Sequence, residues 1–89
     1  MLTTTQAITT ARREVTMHRQ GSGWYVSCPY RDSWMPSDEM PHAVARAWVR
    51  KLRIERALDL LDRYDEYAVH HALESGRRFE AAVREIVRQ

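Results

Sequence analysis

The sequence predicts an α+β fold: a short N-terminal helix, a β-hairpin, and then a helical C-terminal part of two to three helices. Three observations predict it. Apolar residues recur at helical spacing before residue 15 and again from His42 onward. Between these stretches the period drops to two on either side of the glycine-containing connection "QGSG". No glycine or proline interrupts residues 42 to 75. At 89 residues the chain is one small domain, residues 1–89.

The first element is "TTTQAITTARREV". Thr3 caps it, Gln6 three residues on completes a capping box, and Ile8, Ala11 and Val15 fall on one face. In the hairpin, Val15, Met17 and Arg19 alternate with Thr16, His18 and Gln20. Trp24, Val26 and Cys28 then alternate with Tyr25 and Ser27. Pro29 has no N–H to donate, so the ladder ends there. Residues 30 to 36 read as a loop or as a third edge strand. Trp24, Val26 and Cys28 are expected to face inward, whereas Tyr25, Tyr30 and Trp34 suit either surface recognition or local packing.

"PSDEMPHAVARAWV" opens the next helix, with Ser37 or Met40 as its cap, acids in its first turn, and Pro41 where a missing N–H costs nothing. From His42 to Ala68 the apolar stripe changes faces near residue 53. Val44, Trp48 and Leu52 lie together first, opposite Arg46, Arg50 and Arg53. Ile54, Ala57, Leu61, Tyr64 and Ala68 follow, opposite Asp59, Asp62 and Glu66. A continuous helix whose first half covers the hairpin and whose second half meets the last helix accounts for this. A division near "DRYDEY" is the alternative. Gly76 suits a helix C-terminus, and Phe79, Ala82, Val83 and Ile86 mark an amphipathic last helix.

Composition excludes several function classes. A hydrophobic share of 44% and a charged share of 29% suit a globular protein. No apolar run approaches the about 20 residues of a membrane span, and no secretory leader pattern opens the chain. A single cysteine, Cys28, points to a reducing, cytoplasmic compartment. The basic residues are thirteen arginines and one lysine, for a net charge of +2. Arginine's planar donor fork suits phosphate, carboxylate and aromatic partners.

Catalytic patterns are missing. Cys28 lacks an electropositive sequence neighbourhood, and no serine sits in a G-x-S-x-G elbow. "GSG" is a turn, not a phosphate-cradling loop. The histidines His18, His42, His70 and His71 do not form paired ligand spacings, and His70 with Glu66 or Glu74 reads as a helix-surface pair. We therefore expect no enzymatic activity, no cofactor and no metal.

Two charge clusters remain. Residues 42–56 carry a local balance of +4, Arg46, Arg50, Lys51, Arg53 and Arg56 against the single Glu55. Residues 57–67 carry −3, Asp59, Asp62, Asp65 and Glu66 against Arg63. The acidic group, with Tyr67, is the candidate surface for a basic partner protein. Arg46, Arg50 and Arg53, or the Arg77 to Arg88 helix, are the alternative surface, for nucleic acid. "VHHALESGRRFEAAVREIV" has the outline of a helix-turn-helix, but His71, Ser75, Arg77 and Glu85 occupy positions that should be apolar. Pairing through the Phe79 helix would make a homodimer.

The segment "ITTARREVTMHRQGSGWYVSCPY…PHAVARAWVRKLRIERALDLL" carries a resemblance. Its Thr/Ala/Arg helix, its hairpin with Gly21, Gly23, Trp24, Val26, Pro29 and Tyr30, and its "ERALDLL" ending at Glu55 to Leu61 resemble small accessory proteins of bacteriophages, prophages and other mobile elements of proteobacteria. That resemblance implies a binder of host machinery, an anti-CRISPR-type inhibitor being the most concrete form. It implies a host protein or nucleoprotein complex as the partner, and it carries over no residue-level site.

Overall fold

The computed structural model describes residues 2–29 and 39–88. Helix α1 (Thr4–Glu14) leads into an antiparallel hairpin of β1 (Thr16–Gln20) and β2 (Gly23–Ser27); α2 (His42–Leu60), α3 (Glu66–Glu74) and α4 (Phe79–Arg88) follow. The architecture is the expected small α+β arrangement. Tyr30 and Trp34, and the loop or edge strand expected over 30 to 36, lie outside the described residues.

Local chemistry sets the first elements. Thr3 accepts from the Gln6 amide at 3.1 Å, and the Gln6 side chain accepts from the Thr3 amide at 2.9 Å, a reciprocal capping box. The strands pair Met17 with Val26 and His18 with Tyr25. Val26 is buried, Trp24 and Cys28 are half-buried against the same cluster, and Tyr25 stacks on His18 on the other face. On its second edge β2 meets Met40, through Trp24 N–H to Met40 O at 2.9 Å and Met40 N–H to Trp24 O at 3.0 Å. Gly23 permits this approach, because a Cβ there would stand 2.8 Å from the Glu39 Cβ and 3.3 Å from the Met40 nitrogen.

That bridge explains a difference at the start of α2. Pro41 is the N-cap and supplies no side-chain bond, and the first turn holds no acid. The cap expected at Met40 is prevented, since both main-chain groups of Met40 pair with Trp24. Ser37 lies outside the described residues. Glu39, expected in the first turn, instead accepts from the Ser22 hydroxyl at 3.2 Å.

Helix α2 runs unbroken past residue 53 and serves two cores. Its Ala45, Val49 and Leu52 join Val15, Val26 and Met40 under the hairpin. Its Ile54, Ala57 and Leu58 join Ala7, Ile8 and Ala11 of α1, Val69 and Ala72 of α3, and Phe79, Ala82, Val83 and Ile86 of α4. The change of face near residue 53 is therefore a change of neighbour. The inward stripe of the first half lies one position round from the expected one. Ala45 is fully buried beneath the hairpin while Val44 stays 44% exposed.

The helix does not continue to Ala68. The Arg63 amide returns to Leu58 O at 2.8 Å and the Asp62 amide to Asp59 O at 3.0 Å, with Asp62 left-handed at φ 55°. These are the two bonds of a Schellman stop, built on aspartate where glycine is usual. Asp65 then caps α3, its carboxylate accepting from the Tyr67 and Ala68 amides at 3.0 and 3.3 Å. The division near "DRYDEY" is thus the observed one, and Tyr64 leaves the core stripe. Gly76, at φ 72°, ends α3 as expected.

One ion pair joins the end of α1 to α2: Arg56 Nε lies 2.6 Å from Glu14 Oε2, with both side chains about three-quarters buried. The Arg56 hydrogen bond holds the Glu14 carboxyl below its usual value of 4.5 against the opposing effect of burial, aided by the charges of Arg56 and Arg13. A depressed folded-state value stabilises above the unfolded value and is lost as pH falls through the folded one. We expect stability to decline below about pH 4, and Arg56→Met to flatten that decline, as measured by urea midpoints across an acid series.

Candidate functional site

Where α2 ends and α3 begins, the chain turns back and opens a groove of about 530 Å³ lined by Lys51, Glu55, Tyr64, Asp65, Glu66 and Tyr67, among others. The Schellman stop and the Asp65 cap produce it, because together they redirect the helix within five residues, Leu61 to Asp65. Tyr67 is 85% exposed and Tyr64 50%, an unusual display for two rings in a chain this small. The Tyr64 hydroxyl donates to Glu55 Oε2 at 3.4 Å. Partial burial, then the charges of Glu55 and Glu66, push its phenol above the ordinary value.

Of the acidic group expected from the sequence, Asp65, Glu66 and Tyr67 come together here. Asp59 and Asp62 do not line the groove. Asp59 lies 3.7 Å from Arg56, and Asp62 occupies the helix stop; both are exposed. Glu55 and Tyr64 are members that the sequence reading assigned elsewhere, Glu55 to the basic cluster and Tyr64 to the core stripe. The groove continues along α2 into a shallower, apolar depression of about 490 Å³ lined by Val44, Ala47, Trp48 and Leu73. Lys51 separates the two ends, its ammonium 5.2 Å above the Trp48 ring.

The arginines expected for nucleic acid take different roles. Arg50 donates to Leu73 O at 2.9 Å and to Arg77 O at 3.4 Å, which ties down the end of α3. Arg53 donates to Val15 O at 2.8 Å and Arg12 O at 3.2 Å, at the end of α1. Burial, then the charge of Arg12, lowers the Arg53 value. Arg46 is exposed. On α4, Arg84 pairs with Glu80 at 3.2 Å, and just before that helix Arg77 pairs with Glu85 at 3.4 Å.

The helix-turn-helix outline is present as α3, Gly76 and α4. However, Phe79, Ala82, Val83 and Ile86 of α4 are buried in the chain's own core, with the Arg12 guanidinium 5.5 Å above the Phe79 ring. His70 and Glu74 form an exposed pair at 2.6 Å. Among the described residues no three His, Cys, Asp or Glu side chains are grouped to hold a metal, and no helix is long and apolar enough to cross a membrane. No protein-family model matches the chain, and neither a curated protein nor a solved structure is similar to it at a significant level.

Proposed function

We propose that this domain is a non-enzymatic binding protein of phage or mobile-element origin. It docks an acidic and aromatic face on a basic surface of a host nucleic-acid-handling complex in the cytoplasm and inhibits that complex by occlusion, as an anti-CRISPR-type inhibitor would. The observation that carries this reading is the α2–α3 groove. Asp65, Glu66 and the 85% exposed Tyr67 line it together with Glu55 and Tyr64, which are joined by a hydrogen bond. Carboxylates spaced along a groove can accept the arginine and lysine donors that otherwise hold phosphates. Exposed rings beside them offer the stacking surface that a nucleobase would. Asp59 and Asp62 extend the negative field beyond the groove, which speeds encounter more than it tightens the complex. The resemblance to mobile-element proteins supplies the host setting.

Occlusion has a direct consequence. The domain and nucleic acid should compete for the same basic surface, so excess nucleic acid should displace the domain from its captured partner. Simultaneous binding of both would remove occlusion as the mechanism.

A second reading, a small nucleic-acid-binding regulator, is favoured by one observation: Arg46, Arg50 and Arg53 line a common depression. It requires duplex DNA binding with a steep salt slope, whereas a domain acting through its acidic face leaves duplex DNA unbound.

A further inference from the structure

On the side of α2 that faces α4 lies a further depression, of about 640 Å³, and its chemistry is the reverse of the acidic groove's. Four arginines are among its lining residues: Arg46, Arg50 and Arg53 from α2, and Arg78 from the residue preceding α4. Among the described residues its lining includes no Asp or Glu, and Val49 and Phe79 contribute apolar side chains to it. The acids of the neighbouring elements are already engaged. Glu14 pairs with Arg56, Glu80 with Arg12 and Arg84, and Glu85 with Arg77. The four charges therefore share one concavity with no counter-charge from the described residues.

The two kinds of arginine are complementary. Arg50 and Arg53 are held in place by main-chain carbonyls. Each guanidinium has five N–H donors, so each retains donors beyond the two bonds it makes. Fixed in this way, they lose little freedom when an anion arrives. Arg46 and Arg78 are exposed, and among the described residues the side chain of neither makes a hydrogen bond or ion pair. They are free to close over a ligand. Planar forks meeting from two elements match the oxygens of phosphate groups.

We infer that this four-arginine depression is a binding site for paired phosphate groups, the diphosphate chemistry supplied either by a free nucleotide diphosphate or by adjacent phosphates of a nucleic-acid strand. The site is separate from the acidic groove and does not depend on the reading given to that groove.

Isothermal titration of the full chain with inorganic pyrophosphate, at about 50 mM salt where phosphate contacts are least screened, tests the inference. One pyrophosphate should bind per chain. Arg46→Gln with Arg78→Gln should weaken it about 100-fold, the loss expected for two charge-assisted hydrogen bonds. Both side chains are exposed and without a partner among the described residues, so the thermal midpoint should not change. Arg13→Gln with Arg88→Gln removes the same charge from other exposed positions and should leave binding within about twofold of the parent. A single strand of about 12 nucleotides then separates the sources. A strand that binds no better than pyrophosphate identifies a free diphosphate as the ligand. Tighter binding that falls with salt, and is lost in the Arg46 and Arg78 variant, identifies the strand. Absence of pyrophosphate binding at millimolar concentration would overturn the inference, as would equal weakening by both charge-matched pairs.

Discussion

Leu58→Ala is expected to lower the unfolding free energy by about 3–4 kcal/mol, the middle of the range for truncating a fully buried leucine. Leu58 has no exposed surface and sits where α1, α3 and α4 converge on α2. Three packed elements around one side chain leave little room for the site to collapse, so the cavity term adds to the lost transfer energy. For a domain of this size the midpoint should fall by about 15–25 °C. Val44→Ala is the matched control. Val44 lies on the same helix at 44% exposure and should change stability by less than about 0.5 kcal/mol. Thermal and urea unfolding followed by circular dichroism measure both. Equal effects would mean that α2 does not present these faces.

The second large effect is expected at Arg53. Arg53→Met keeps the length and the apolar stem but removes the donors to Val15 O and Arg12 O. Those carbonyls belong to the last turn and cap of α1, where no helical amide remains to satisfy them. A charged donor to a part-buried carbonyl is worth about 1.5–3 kcal/mol, and its removal strands the part-buried Val15 carbonyl while water can reach the exposed Arg12 carbonyl. A loss of about 2 kcal/mol follows, with amide exchange fastest at the end of α1 if the bonds hold that turn in place. A loss within error of zero would show that Arg53 contributes charge alone.

The legible parts of this fold are those governed by neighbours in sequence. The Thr3 and Gln6 box, the alternation around "QGSG", Gly76 as a helix stop, and the stripe of Phe79, Ala82, Val83 and Ile86 all follow from local rules. The end of α2 does not. Its stop uses Asp62 where glycine is the usual signal, and Ile54, Ala57, Leu61, Tyr64 and Ala68 keep helical spacing straight through the break. Periodicity cannot register a stop that preserves the period. The site followed the same division. Asp65, Glu66 and Tyr67 are adjacent in sequence and were visible as a cluster. Glu55 and Tyr64 join them only because the chain turns back at Asp62. Arg50 and Arg53 reach carbonyls between 23 and 41 residues away, a relation no local pattern encodes. The same long-range placement brings Arg78 to the depression that Arg46 lines.

Helix α2 thus separates two surfaces of opposite charge, and the acidic one is the central claim. The measurement that tests it most directly is capture of host lysate proteins on the tagged domain after nuclease treatment. Glu66→Arg with Tyr67→Ala is compared with the unaltered chain and with Arg46→Gln, Arg78→Gln. Glu66 and Tyr67 are exposed, and neither is the capping residue of α3, so the variant should keep its fold. The account predicts a stoichiometric host nucleoprotein complex that survives nuclease. It should be lost with the acidic-face variant, by about 100-fold in affinity if reversal of one charge and removal of one anchoring ring act as at other interface centres, and retained with the arginine variant. Recovery of nucleic acid alone, or capture of the same complex by the acidic-face variant, would contradict it.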